Sequence, residues 1–235
     1  MATTLTVNNA KVFAQTLIKN QRLLVNGQEP MLTIANIVLQ RILGAPFIWR
    51  FNRATVTISI STAGGTDYTV NVPLLGRIEN QWLVDSNGKI WELKGSVEMA
   101  KVNAQRRPIE VAPVYDDNAG NITFRFSSIP DGNYTAFIDY QKKAPLITGP
   151  AQAFGPVPDE FGYIFNTGFL AWASLLVNDA RFPIWEKWFT GALLGAQDGL
   201  DEQAKAIFLG EWLRATASAS RSQGLVQSGV SGRQM

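Results

Sequence analysis

The spacing of apolar residues changes twice along the chain, and this change constrains the fold more than any other feature of the sequence. Residues 8–44 and 159–217 repeat apolar side chains three or four positions apart, which is typical of amphipathic helices. Residues 45–145 contain stretches that alternate polar and apolar side chains, as half-buried strands do. We therefore expect an α+β protein whose β block is inserted between two groups of helices.

The first group predicts two helices. Asn8 or Asn9 is placed to cap the first, and Asn26-Gly27 ends it. The second ends at Gly44-Ala45-Pro46; its β-branched residues leave a strand open, but its length favours a helix. The apolar residues of the two segments are Val12, Phe13, Leu17, Ile18 and Leu24, then Leu32, Ile34, Ile37, Val38 and Ile42.

The β block predicts several short strands joined by turns. The turn at 85–88 separates two arms of a hairpin, and a second turn lies at 130–133. Residues 94–107 fit either a short helix or a loop. Short strands at this spacing indicate an antiparallel sandwich or barrel. The expected strands are 55–60, 68–72, 81–84, 89–93, 121–126 and 134–140.

The C-terminal part predicts further helices after a proline-rich linker at 146–158. Asp159 can cap the first, Pro183 suits the first turn of the second, and Asp201 with Glu202 opens a third. Residues 218–235 are too polar to form a core and predict a flexible tail. The expected apolar positions are Phe161, Ile164, Phe165, Gly168, Phe169, Trp172, Leu175 and Leu176; Trp185, Trp188, Phe189, Ala192 and Ala196; and Ala204, Ile207, Phe208, Trp212 and Ala215.

Two short helices are rarely stable alone. We therefore expect residues 8–44 and 159–217 to form one helical bundle, with residues 45–145 inserted as an antiparallel β-sandwich or barrel. Residues 146–158 are the linker and residues 218–235 the C-terminal tail.

The composition restricts the chemistry, because the sequence contains neither His nor Cys. A Ser-His-Asp triad, thiol catalysis and cysteine metal sites are excluded. Asp116-Asp117 lacks the spacing of a Ca²⁺ loop and indicates a turn. Asp67, Glu79 and Glu92 could approach each other as glycosidase carboxylates do, but nothing in their spacing requires it and solvated strand faces explain them. We expect no catalytic, cofactor or metal site.

Other features point to ordinary structural roles. The basic pairs Arg106-Arg107 and Lys142-Lys143 fit solvated strand edges, and the 21 basic residues nearly balance the 19 acidic ones. Of the seven Trp residues, we expect four on apolar helix faces and three, Trp49, Trp82 and Trp91, in the β block, where sheet packing is favoured over sugar stacking. Neither a signal peptide nor a transmembrane helix is expected.

The order of three stretches resembles the head-to-tail adaptor family of tailed bacteriophages, also called connector or tail tubular protein A-like proteins. The first is Thr66–Ile78, with its Tyr-apolar-Pro sequence before the next strand. The second is Ile138–Ile147, a strand that enters a proline-containing connector. The third is Val157–Phe161 opening a helix, followed by Gly168–Ala173 and Trp185–Phe189. The similarity runs from about Ala10 to Thr216.

This resemblance implies a structural virion protein that is not an enzyme. Such adaptors form a ring, usually twelve-fold, beneath the portal, and the genome passes through the lumen with only transient, non-specific contact. The helical bundle would form the ring wall, the β domain would face the tail tube or nozzle, and the C-terminal tail would dock on the portal. The tail residues expected to make that contact are Arg221, Leu225, Val226, Val230 and Arg233.

The resemblance also implies a location, the neck of the virion, with assembly in the host cytoplasm and no membrane partner. Two other functions stay open from the sequence. One is another phage neck or tail ring component, such as a terminator or stopper. The other is a carbohydrate-binding protein that uses the β block.

Overall fold

A computed structural model describes residues 4–18, 30–44, 47–96 and 104–197. In these ranges the chain is α+β, with four α-helices and two four-stranded sheets. The helices precede and follow the strands in the chain, as the change in hydrophobic spacing predicts. They are α1 (Val7–Ile18), α2 (Met31–Leu43), α3 (Gly162–Leu176) and α4 (Phe182–Gly195), with 3-10 turns at Arg50–Asn52 and Asp159–Phe161.

The strands form two open sheets. The first sheet has the order β1-β8-β3-β4 and is antiparallel throughout. The second has the order β2-β7-β6-β5, in which only β5 and β6 run parallel. Neither sheet closes on itself within the described ranges, so the barrel alternative is wrong there. The strands are β1 (Arg53–Ile60), β2 (Asp67–Asn71), β3 (Leu75–Asp85), β4 (Ile90–Glu92), β5 (Lys94–Gly95), β6 (Glu110–Asp116), β7 (Asn121–Phe126) and β8 (Tyr134–Lys142).

All six strands expected from the sequence are present, but β5 and β6 were not expected. Strand β6 contains Pro113, which cannot donate to a ladder, and its pairing with β7 shifts register between Pro113 and Tyr115. The sequence pattern around a proline and a bulge does not alternate regularly, which hides the strand. Of residues 94–107, which the sequence predicts as a short helix or a loop, Lys94–Gly95 forms a strand and residues 104–107 form no helix, while residues 97–103 lie outside the described ranges.

Both expected aspartate turns are confirmed, and each is closed by its own carboxylate. Asp85 Oδ1 accepts hydrogen bonds from the backbone N–H of Asn87 at 2.9 Å and of Lys89 at 3.0 Å. Asp117 Oδ1 accepts from the backbone N–H of Ala119 at 2.8 Å and of Asn121 at 2.9 Å. The hydrogen bonds stabilise the ionised form and lower the pKa of both carboxyls.

Helix α3 is the centre of the helical core, because α1, α2 and α4 all contact it. Buried residues of the four helices form one hydrophobic cluster. A Cβ atom at Gly168 would lie 2.7 Å from both a Val38 and a Phe189 side-chain atom, so this glycine allows α2 and α4 to approach α3 together. Side chains from both sheets form a second cluster around Phe124, Phe126 and Ile138.

The expected apolar face of α1 is wrong for Val12, Phe13 and Leu17 and is confirmed for Ile18, while Leu24 lies outside the described ranges. Besides Ile18 the helix buries Val7, Ala10 and Ala14, a row of mostly small side chains that lets α1 pack closely on α3. A search for large apolar residues misses this face because alanine carries little hydrophobic signal. Several large side chains expected in the core are exposed, namely Val12, Phe13 and Leu17 on α1, Leu175 and Leu176 on α3, and Trp188 on α4.

The two expected N-caps are also wrong. Thr6 precedes α1, and its backbone N–H donates to Asn9 Oδ1 at 3.0 Å while Asn9 N–H donates to Thr6 Oγ1 at 3.4 Å. Asp159 instead accepts hydrogen bonds from the N–H and hydroxyl of Thr4, at 2.8 and 2.9 Å. It therefore ties the N-terminal segment to the 3-10 turn before α3. Pro183 lies in the first turn of α4, as predicted.

The proline-rich segment 146–158 has no helix or strand, as its composition predicts, apart from an isolated bridge at Ala153. Its apolar side chains nevertheless lie in the helical core. Phe154 stacks on Phe165 with ring centroids 3.5 Å apart, and Ile147 is 2% exposed. Asn36 of α2 bonds both the N–H and the carbonyl oxygen of Ile147, so this segment is fixed on the helices.

Candidate interaction surfaces

The helices and the first sheet meet at a buried junction around Trp49. The sequence pattern assigns Trp49 to the β block, but its side chain belongs to the helical cluster and is 2% exposed. Its indole N–H donates to the carbonyl oxygen of Ile42 in α2 at 2.6 Å. The ring also packs against Phe51 and Phe161, with centroids 5.1 and 5.8 Å away.

Strand β8 reaches the same junction through Gln141, which is 3% exposed. Its Nε2 group donates to Glu79 Oε1 at 2.9 Å, and Glu79 Oε2 accepts from Arg53 Nε at 2.7 Å. The C-terminal end of α4 joins as well, because Gln197 Oε1 accepts from the N–H of Ile48 at 3.0 Å. Gln141, Glu79 and Gln197 at the junction thus form hydrogen bonds with other groups of the same chain.

The three carboxylates that could have formed a glycosidase-like set have separate environments. Asp67 on β2 binds Arg125 of β7 at 2.8 Å, across the second sheet. Glu79 on β3 binds Arg53 of β1 in the first sheet. Glu92 lies on β4, opposite Trp82 in the strand register. Asp67 and Glu79 are therefore ion-pair partners of arginines in different sheets, and Glu92 lies on a third strand.

A cavity of about 470 Å³ lies beside the junction, at the C-terminal end of α2. Arg77, Lys142 and Lys143 line it together with Gln40 and Leu43 of that helix. Lys143 Nζ is 3.9 Å from Asp116 Oδ2. The C-terminal end of a helix carries partial negative charge and attracts cations. The end of α2 therefore accounts for the basic side chains that line this cavity.

The Trp residues of the β block are engaged with side chains of their own chain. Trp82 stacks on Phe137 at an interplanar angle of 8°. Lys89 Nζ and Arg107 Cζ lie 3.9 and 3.8 Å from the ring centroid of Trp91. Arg107 thus packs on an aromatic ring, whereas the sequence predicts a solvated strand edge at Arg106-Arg107. Both indoles have the packing role that the sequence favours.

Besides Leu175 and Leu176 of α3, large apolar side chains are exposed on α1 and α4. We call Val12, Phe13 and Leu17 the α1 outer face; these residues are 62%, 38% and 39% exposed. We call Ile184 and Trp188 the α4 outer face; these are 53% and 57% exposed. A cluster of exposed apolar side chains on one element is a candidate interaction surface. These faces are the strongest candidates for binding in the described part of the chain.

Two further properties hold for residues 4–18, 30–44, 47–96 and 104–197. Those ranges contain no group of three or more His, Cys, Asp or Glu residues that could hold a metal ion. No helix in them combines the length and apolar character needed to cross a membrane. The tail residues Arg221, Leu225, Val226, Val230 and Arg233 lie outside the described ranges, as does Trp212.

Comparison of the chain with models of protein families and with curated proteins finds no match. The surfaces described above and the order of the sequence segments are therefore the basis for the function proposed below.

Proposed function

We propose that this chain is a head-to-tail adaptor of a tailed bacteriophage, a structural virion subunit that forms a ring between portal and tail. The observation that carries the proposal is the exposure of Val12, Phe13 and Leu17, three large apolar side chains on one short helix. A monomer gains nothing from this exposure, whereas a subunit that repeats around a ring buries the face against its neighbour.

We also infer that the helices form one bundle and that the two sheets form an inserted β-sandwich. The common contact of α1, α2 and α4 with α3 supports the bundle. The hydrophobic cluster shared by both sheets supports the sandwich. The chain passes between the two parts near Trp49 and again near Gln141, which supports an insertion with both ends at one junction.

Ring closure requires two different surfaces on each subunit, because head-to-tail contacts are heterologous. We assign the α1 outer face as one of these surfaces, in a ring of twelve copies. The helical bundle forms the wall, and the β domain contacts the tail tube or nozzle proteins. The tail residues Arg221, Leu225, Val226, Val230 and Arg233 dock on the portal.

The same proposal assigns no enzymatic activity, cofactor or membrane partner. The genome passes through the lumen with transient, non-specific contact, since the chain has a formal net charge of only +2. Firm binding of duplex DNA usually requires several neutralised phosphates and depends steeply on salt. The protein would be found in the virion neck, and in the host cytoplasm while particles assemble.

The Val12→Glu variant tests the proposed contact. A charge at this 62% exposed position opposes burial against a neighbouring subunit but leaves the monomer core untouched. The matched control is Ile90→Glu, the same change at a 68% exposed site on the β4 hairpin. We expect mass photometry to show rings for the parent and the control but subunits for Val12→Glu, with unchanged melting temperatures. Equal assembly of both variants would contradict the assignment.

A further inference from the structure

Strand β1 is an open edge of the first sheet. In the described ranges it pairs with β8 along one side, and the strand order places no strand along its other side. With eight residues it spans roughly 27 Å. The other edge strands are shorter, because β2 has five residues, β4 has three and β5 has two. Strand β1 is therefore the longest edge in the described part of the β block.

This edge lacks the features that usually protect a long edge strand from pairing, which are charged side chains, proline and β-bulges. Strand β1 contains no proline, and its register with β8 runs from Arg53 to Ile60 without a shift. Its one charged residue, Arg53, is the first of the strand and binds Glu79. Residues 54–60 thus offer an uncharged, regular edge to another strand.

The side chains of β1 that face the core of the β block are incompletely covered. Ile58 and Ile60 are 2% and 1% exposed, whereas Ala54 and Val56 on the same face of the strand are half-buried. A further strand would lie about 4.8 Å from β1 and continue the same face of the sheet. It would therefore cover the exposed parts of Ala54 and Val56.

The backbone of the edge determines which kind of segment fits. Alternate residues of an antiparallel edge direct both N–H and C=O outward, so β1 offers about four donors and about four acceptors in a row. An extended backbone matches both sets, whereas the backbone groups of a helix are already paired with each other. The side chains on the outer face, Thr55, Thr57 and Ser59, are short and uncharged and leave room for it.

We propose, on the basis of the adaptor function above, that β1 binds an extended segment of a tail tube or nozzle protein, which joins the first sheet as a fifth strand. Its side chains would alternate, apolar ones towards Ala54 and Val56 and polar ones beside Thr55 and Thr57. A second copy of β1 does not fit this edge in the ring. Pairing two identical edges requires a two-fold axis, whereas the contacts of a head-to-tail ring are heterologous.

Hydrogen–deuterium exchange of the full chain, alone and bound to the purified tail tube or nozzle protein of the same phage, measures strand addition directly. In the free chain the outward N–H groups of β1 face solvent and should exchange fast. In the complex, a peptide covering residues 53–60 should take up about four fewer deuterons, because those groups gain partners. The control segment is residues 67–71 of β2, the edge of the second sheet, whose uptake should not change.

The Thr57→Lys variant adds a charge in the middle of the edge, at an exposed position. The matched control is Asn80→Lys, the same charge at an exposed position on β3, which already has β8 beside it. We expect Thr57→Lys to bind the tail protein several-fold more weakly than the parent and the control. All three proteins should keep the same melting temperature and form the same rings.

Tail binding with unchanged uptake at residues 53–60, or equal tail binding by Thr57→Lys and Asn80→Lys, would overturn the fifth strand and leave the ring proposal intact. Dimers that protect β1 without any tail protein would overturn it too, since a second copy would then cover the edge. Rings that bind no tail protein would also count against it. Failure of the parent to form rings would instead contradict the adaptor function, and the strand partner with it.

Discussion

The side-chain amide of Gln141 pairs with the main chain of Trp49 at two points. Gln141 Oε1 accepts from Trp49 N–H at 3.1 Å, and Gln141 Nε2 donates to the Trp49 carbonyl oxygen, also at 3.1 Å. Gln141 belongs to β8, whereas Trp49 packs among the helices. One buried side chain thus supplies the hydrogen bonds that a neighbouring strand would otherwise give, and it joins the sheet to the helical core.

Replacing Gln141 with Leu should destabilise the protein by about 2 kcal/mol, because the Trp49 N–H would stay buried without its partner, while the Trp49 carbonyl oxygen would keep only its hydrogen bond from the Asn52 N–H. Urea unfolding followed by Trp fluorescence measures this change. The control is Gln105→Leu, at an exposed position, which should alter stability by less than about 0.5 kcal/mol. If Gln141→Leu lowers the free energy of unfolding no more than Gln105→Leu does, the junction is not a stabilising contact.

The core of the helices is centred on α3 rather than on the large residues of α1. Phe169 is fully buried, so Phe169→Ala should cost about 3–5 kcal/mol. Phe13 is 38% exposed, and Phe13→Ala should cost less than about 1.5 kcal/mol in the monomer. Thermal unfolding of the two variants distinguishes these positions. Similar losses at both would mean that α1 packs through the face expected from sequence.

The pH dependence of stability should reveal the aspartate turn after β6. Hydrogen bonds from the side chain and backbone of Asn121 lower the pKa of Asp117 in the folded protein. A lowered folded pKa means that this contribution is present above the unfolded carboxyl pKa, about 3.9. It is lost as the pH falls through the folded value. The Asp117→Asn variant should therefore be less stable than the parent at pH 7 and approach it in acid.

Melting temperatures between pH 7 and pH 2 measure this difference. Asp131→Asn is a suitable control, because Asp131 is also a turn residue, exposed where Asp117 is half-buried, and accepts from the Tyr134 hydroxyl at 2.7 Å instead of closing its turn through backbone N–H groups. A constant gap between the Asp117 variant and the parent across the pH range would exclude the proposed linkage.

The C-terminal tail is predicted to act in binding and not in folding. Truncation after Ala217 removes Arg221, Leu225, Val226, Val230 and Arg233 and should leave the melting temperature within about 1 °C, since the segment is too polar to form a core. Binding to the portal should be lost, because each tail makes one weak contact and the ring binds firmly only through many tails together. Pull-down with purified portal measures the effect. Full binding by the truncated protein would remove the tail from the mechanism.

Sequence periodicity is informative where the structure depends on neighbouring residues. Regular alternation located β1 and β7, and aspartate-rich turns located the hairpin ends, because both patterns are local. The burial of Ala10 and Ala14 depends on α3, which lies about 150 residues later in the chain. Trp49 likewise packs on residues from distant segments, so its neighbours in sequence suggested the wrong environment.

The interaction surfaces are harder to predict than the strands. Sequence periodicity assigns Phe13 and Trp188 to the core, because a large apolar residue on an amphipathic helix usually lies there. Their exposure follows from the packing of α1 and α4 on α3, which the periodicity does not contain. The lack of His and Cys, by contrast, is a property of composition alone and limits the available chemistry whatever the fold.

The most direct test of the adaptor proposal is negative-stain electron microscopy of the purified full chain, alone and mixed with the portal of the same phage. We expect closed rings of about twelve copies that stack coaxially on the portal through one face. A persistent monomer that neither closes into rings nor binds the portal would contradict it.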